Sequence, residues 1–106
     1  MNRMFKQLWL CVAALLTLIR TKQPEAKILL LGIYPRREPH LKSTIARTNK
    51  LLQTLADGKQ IRFADIGQVI TGADGLANPT YFRDVVHPNA AGYAQLATAL
   101  RPLLDD

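Results

Sequence analysis

The run Lys27-Ile28-Leu29-Leu30-Leu31-Gly32-Ile33 sharply narrows the folds open to this chain. A short apolar stretch without alternation suits a strand covered on both faces, as in a parallel sheet. Tyr34-Pro35 ends it, because proline removes a ladder donor. A polar loop follows over Arg36–His40, then a helix over Leu41–Ala56. Leu41, Ile45, Thr48, Leu52 and Leu55 form the inner face of that helix. Asp57-Gly58 stops it, with Gly58 suited to a left-handed position. Gln60–Ile66 reads as a second strand, so Lys27–Ile66 is a βαβ crossover with parallel strands. Two strands make a poor sheet, since stable sheets want three or more. Each strand therefore calls for a neighbour that these 106 residues do not encode.

Helical patterns flank this unit. Leu8, Val12, Leu15, Leu16 and Ile19 share one face, and Arg20, Lys22 and Pro24 suit a helix end. Met1–Lys6 is basic and Leu8–Ile19 mostly apolar, which has the outline of a signal peptide. No small-x-small cleavage site follows, and the run is too short to span a bilayer. An internal helix is the expected reading. Gly67–Arg83 is a long loop with turns at Asp74-Gly75 and Asn78-Pro79. A last helix is expected from about Asn89 to Leu100 or beyond, with Tyr93, Leu96, Ala97, Leu100, Leu103 and Leu104 as its apolar stripe. The order is α-β-α-β-α.

Charge is unevenly placed. The net charge is +6, with +8 in residues 1–59 and −2 in residues 60–106. The basic residues are scattered and lack the interleaved aromatics of single-strand binders, so no nucleic-acid partner is expected. Cys11 is the only cysteine, which excludes an internal disulfide and any multi-cysteine metal site. In its apolar run it should be an inert small hydrophobe. His40 is a lone histidine in a polar loop, and no metal or other cofactor is expected.

The segment with chemical character is Asp84-Val85-Val86-His87-Pro88-Asn89, just before the last helix. A three-residue step in a turn can bring the Asp84 carboxylate onto the His87 ring. The carboxylate then fixes the tautomer and steadies the imidazolium. Pro88 biases His87 toward extended backbone and keeps the ring at the mouth of the helix. Either Pro88, as first helical residue, or Asn89, as cap, starts that helix. In an open parallel sheet ligands bind at the carboxyl ends of the strands, where the loops after both strands leave.

Asp84-Val-Val-His87-Pro88-Asn89-Ala-Ala-Gly92-Tyr93 closely resembles the last block of the SGNH hydrolases, the GDSL-type esterases and lipases. Pro24–Arg36 is similar to that family's penultimate strand, above all in the platelet-activating-factor acetylhydrolase branch, and Asn49 and Arg62–Ile66 fit the same branch. The match covers roughly residues 8–104. The resemblance implies a three-layer, flavodoxin-like parallel sheet with helices on both faces, of which residues 1–106 supply the C-terminal α-β-α-β-α portion. It implies a Ser-His-Asp mechanism with His87 as base and Asp84 as its orienter. The substrate class is small acyl esters, such as acetyl groups on a carbohydrate or lipid.

The departures matter equally. The family's nucleophile lies in a Gly-Asp-Ser block near the start of the domain, and its oxyanion hole uses a Gly-x-Asn-Asp type block. Neither is present, and Ser43, the only serine, stands in a helix. Asn49, Asn78 and Asn89 are in the wrong contexts to replace the oxyanion asparagine. The chain therefore reads as part of an esterase domain that is inactive by itself. Two other readings stay open: a non-catalytic interaction protein with an esterase-like half fold, and a small basic protein at a membrane surface, the latter disfavoured. An extracytoplasmic location is compatible with the family.

Overall fold

The computed structural model describes residues 3–104. Helix α1 spans Arg3–Lys22, strand β1 Ile28–Leu31, helix α2 Lys42–Gln53, strand β2 Ile61–Ala64 and helix α3 Ala90–Leu104. Both strands are shorter than their apolar runs. The two strands pair in parallel, Ile28 opposite Ile61 through Leu31 opposite Ala64. Successive strand residues point to opposite faces. Ala64 and Leu31 pack toward the α3 cluster, and the Arg62 guanidinium donates to the Leu103 carbonyl at 2.6 Å. Phe63 faces a groove walled by α2. Helices thus cover both faces of a parallel sheet, the α/β three-layer arrangement expected.

The main core lies on the α3 side. Ile66, Ile70, Ala77, Phe82 and Leu96 are buried together, with Tyr34, Leu100 and Leu103 packed against them. Most of it comes from the segment expected to be a long loop. That segment carries two 3-10 turns, Ile66–Ile70 and Pro79–Tyr81, and contains Ile70, which is fully buried. Part of its polar backbone is satisfied locally. Asp74 Oδ1 accepts from the Leu76 N–H at 2.9 Å, and Asn78 Oδ1 from the Thr80 N–H at 3.0 Å. Gly75 and Gly58 adopt φ of 81° and 72°, the left-handed region that glycine enters at low cost.

The helices depart from their sequence patterns in phase and length. In α1 the packed residues are Trp9, Val12, Ala13, Leu16 and Ile19, whereas Leu8 and Leu15 lie exposed. Trp9 sets this phase by donating to Thr54 Oγ1 at 3.3 Å, while Arg20 reaches Gln60 and Asp57. Cys11 is exposed, not buried. A 3-10 turn at Pro39–Leu41 takes the start of the expected second helix, and α2 begins at Lys42. Its buried residues are Thr48, Asn49 and Leu52; Leu41, Ile45 and Leu55 are half-buried. In α3 the buried face is Gly92 and Leu96, with Ala99, Leu100 and Leu103 beside it. Tyr93, Ala97 and Leu104 point outward. No helix among the described residues is long and apolar enough to cross a membrane.

Candidate active site

The loop before α3 is held by its own backbone. The Arg83 N–H donates to the His87 carbonyl at 3.0 Å, and the Asn89 N–H to the Tyr81 carbonyl at 2.9 Å. Phe82 and Pro88 form an antiparallel bridge between these bonds. Asn89, not Pro88, caps the helix, its Oδ1 accepting from the Gly92 N–H at 2.9 Å. Its amide nitrogen donates to the Thr80 carbonyl at 3.0 Å. Gly92 is required here for space, because a Cβ at this position would collide with the Tyr81 carbonyl oxygen. The sequence pattern marks the Gly-Tyr pair but not this close approach.

Within that frame Asp84 and His87 meet. Asp84 Oδ1 accepts from the Val86 and His87 N–H groups at 2.8 and 2.7 Å. Its other oxygen, Oδ2, lies 2.8 Å from His87 Nδ1. The Val86 N–H, then the His87 N–H, then the ring bond hold the Asp84 carboxyl down to about 2. A carboxylate that stays ionised can only accept, so Nδ1 carries the hydrogen in the neutral ring. Nε2 is then the basic nitrogen, and the His87 side chain is 54% exposed.

The loop after β1 reaches the same place. The Arg37 N–H donates to the Val85 carbonyl at 3.4 Å, and its guanidinium to the Ala77 carbonyl at 2.7 Å. Both strands' exit loops therefore share one edge with the pair. Asn49 fixes where β1 stops: Oδ1 accepts from the Ile33 N–H at 2.7 Å, and the amide nitrogen donates to the Ile33 carbonyl at 3.1 Å. This buried clamp was not legible in the sequence, which ties Asn49 to family likeness alone. An open pocket of about 310 Å³ lies between Leu31–Arg36 and Val86, the residue before His87. A larger groove of about 550 Å³ lies between α2 and the segment after β2, and neither lining includes Asp84 or His87.

Ser43 lies exposed in the first turn of α2, with no hydrogen bond to the pair. His40 is exposed in the Pro39–Leu41 turn. Among the described residues no group of His, Cys, Asp and Glu could hold a metal ion.

Comparison with known proteins decides the lineage. The model of the GDSL-like lipase/acylhydrolase family matches residues 3–95. The chain belongs to this family. The rat platelet-activating factor acetylhydrolase IB subunit alpha2 is 33% identical over 96 residues, covering 88% of this chain and 42% of that protein. The human protein of the same name is 32% identical over the same extent. The chain thus spans about two fifths of the length of the curated relatives it matches. Solved structures share the fold. A Streptococcus pneumoniae structure described as a platelet activating factor superposes with TM-score 0.86 at 24% identity, over 94% of this chain and 51% of that one. The esterase domain of the zebrafish ZfL2-1 ORF1 protein superposes with TM-score 0.80 at 24% identity, over 98% of this chain and 61% of that one.

Proposed function

We propose that this chain supplies the acid–base part of a serine acylhydrolase, with residues 1–106 as part of an SGNH-type domain. The observation that carries the reading is the 2.8 Å contact between His87 Nδ1 and Asp84 Oδ2, with Nε2 left on an exposed edge. In this role His87 Nε2 takes the proton of a serine hydroxyl as that oxygen attacks the ester carbonyl. The same proton then goes to the leaving alcohol, and water hydrolyses the acyl-serine by the reverse relay. Asp84 keeps the ring oriented and stabilises the imidazolium. Serine and oxyanion donors come from a segment outside these residues. The acetylhydrolases among the relatives favour acetyl-type esters, on a lipid or carbohydrate alcohol.

The test joins the part of the rat relative outside its match to this chain and follows p-nitrophenyl acetate hydrolysis. The joined protein should turn over the ester, and His87→Ala should abolish it. Turnover that survives His87→Ala would overturn the assignment.

A further inference from the structure

The Asp84–His87 turn lies at the surface, Val85 being 49% exposed. Surface turns are mobile unless something outside them fixes their backbone. Asp84 fixes part of this one from within, its Oδ1 accepting from the Val86 N–H at 2.8 Å. That N–H belongs to the Val85–Val86 peptide, a rigid planar unit. The carbonyl of the same peptide accepts from the Arg37 N–H at 3.4 Å. The peptide is thus held on both sides, by Asp84 at its nitrogen and by Arg37 at its oxygen. A donor on the oxygen also polarises the peptide and strengthens its N–H as a donor to the carboxylate. The other Asp84 oxygen meets His87 Nδ1.

A bond of 3.4 Å lies at the long end of the range and is weak by itself, so it depends on where its donor is held. The Arg37 side chain holds it. Its guanidinium donates to the Ala77 carbonyl at 2.7 Å, and the Ala77 N–H donates to the Arg36 carbonyl at 3.0 Å. Both polar groups of the Ala77 backbone are therefore committed to the loop after β1. Ala77 is fully buried, belongs to the same cluster as Ile70 and pairs with Thr71 across an antiparallel bridge. Asp74 Oδ2, 3.6 Å from the guanidinium and 53% exposed, adds only a surface ion pair of small worth. One arginine thus links the buried core to the turn, across the exits of both strands and the lead into α3. A guanidinium suits this task, because its charge does not titrate and its fork can serve several acceptors.

We propose that Arg37 is a positioning residue for His87: its guanidinium locks the loop after β1 onto the Ala77 carbonyl, and its N–H thereby holds the Val85–Val86 peptide against Asp84. For its effect on turnover this rests on the acylhydrolase reading above; for the geometry of the turn it does not. Arg37 acts through Val85 and Asp84, not on the imidazole itself.

Arg37→Met keeps a long side chain and removes its donors, whereas Arg37→Lys restores the charge and a donor. In the 106-residue chain, Arg37→Met should speed amide exchange at Val86 and His87 about 2- to 10-fold, the worth of one hydrogen bond. It should also raise the Asp84 carboxyl midpoint from about 2 toward 3.8. Exchange at Ile70 should not change. Arg37→Lys should recover most of both effects. Asp74→Asn, which keeps the acceptor for the Leu76 N–H, should produce neither. In the joined protein, Arg37→Met should lower kcat on the order of 10- to 100-fold. KM should stay the same, because ring position matters to the transition state and not to binding. Unchanged exchange and midpoint in Arg37→Met would overturn the positioning role. So would an equal loss of protection at Ile70, which would make Arg37 a support of the whole core. A loosened turn with undiminished turnover would overturn it too. A joined protein inactive with Arg37 in place, beside a loosened turn in Arg37→Met, would support the positioning and overturn the acylhydrolase reading.

Discussion

Asp57 and Asp84 close turns by the same means. Asp57 Oδ1 accepts from the N–H groups of Lys59, Gln60 and Ile61 at 2.8–3.0 Å, and Asp84 Oδ1 from those of Val86 and His87. Backbone donors hold both carboxyls below their ordinary range. The second oxygen separates them. Asp57 Oδ2 lies 3.3 Å from the Arg20 guanidinium, a partner with a permanent charge, at the start of β2. Asp84 Oδ2 faces an imidazole that can gain and lose a proton. One local device thus anchors a sheet at Asp57 and orients an imidazole at Asp84. What an aspartate turn does is decided by the partner its spare oxygen is given.

Substitutions separate the two turns by effects of different size. The largest is catalytic. In the joined, active protein, Asp84→Asn should lower ester turnover on the order of 1,000–10,000-fold, whereas Asp57→Asn should leave it within a small factor. Equal losses would mean that Asp84 acts only through the fold. Next is the clamp that sets the strand exit both loops depend on. Asn49→Ala strands the Ile33 N–H and carbonyl and should cost about 2–3 kcal/mol in denaturant unfolding. Gly92→Ala forces Tyr81 away from α3 and should cost about 1–3 kcal/mol. It should also loosen the Asp84 loop in amide exchange without affecting that at Asp57.

Smaller effects separate the two aspartates themselves. Asp57→Ala should lower the melting temperature of the chain more than Asp84→Ala, because it frees three N–H groups where the sheet begins. The pH response follows from a lowered carboxyl. Asp84 falls from 3.8 to about 2, so its turn is fully stabilised above the unfolded value and loses that support as pH drops through about 2. A carboxyl carbon-13 titration should place the Asp84 midpoint near that value. A midpoint near 4 would show that the turn is not formed.

The sequence made the Asp84–His87 turn easier to read than the packing. Asp84, His87 and Pro88 act through local spacing, and local spacing survives in a string of letters. The α-β-α-β-α order was legible for the same reason, since continuous apolar runs and helical periods are short-range. The phase of α1 was not, because Trp9 and Arg20 choose partners just past the end of α2 and before β2, more than 30 residues away. The core of the segment after β2 was hidden too. Ile70 and Ala77 follow no regular period there, and only the fold brings them onto α3. Asn49 looks like any helix polar residue until Ile33 is placed beside it.

In the proposed role the turn at Asp84 presets His87 as a base before any nucleophile arrives. Nitrogen-15 ring spectra of the 106-residue chain, recorded with the imidazole neutral, test it directly. The hydrogen is expected on Nδ1 with Nε2 unprotonated, and that preference should be lost in Asp84→Ala. A neutral ring with its hydrogen on Nε2, or a tautomer indifferent to Asp84→Ala, would contradict it.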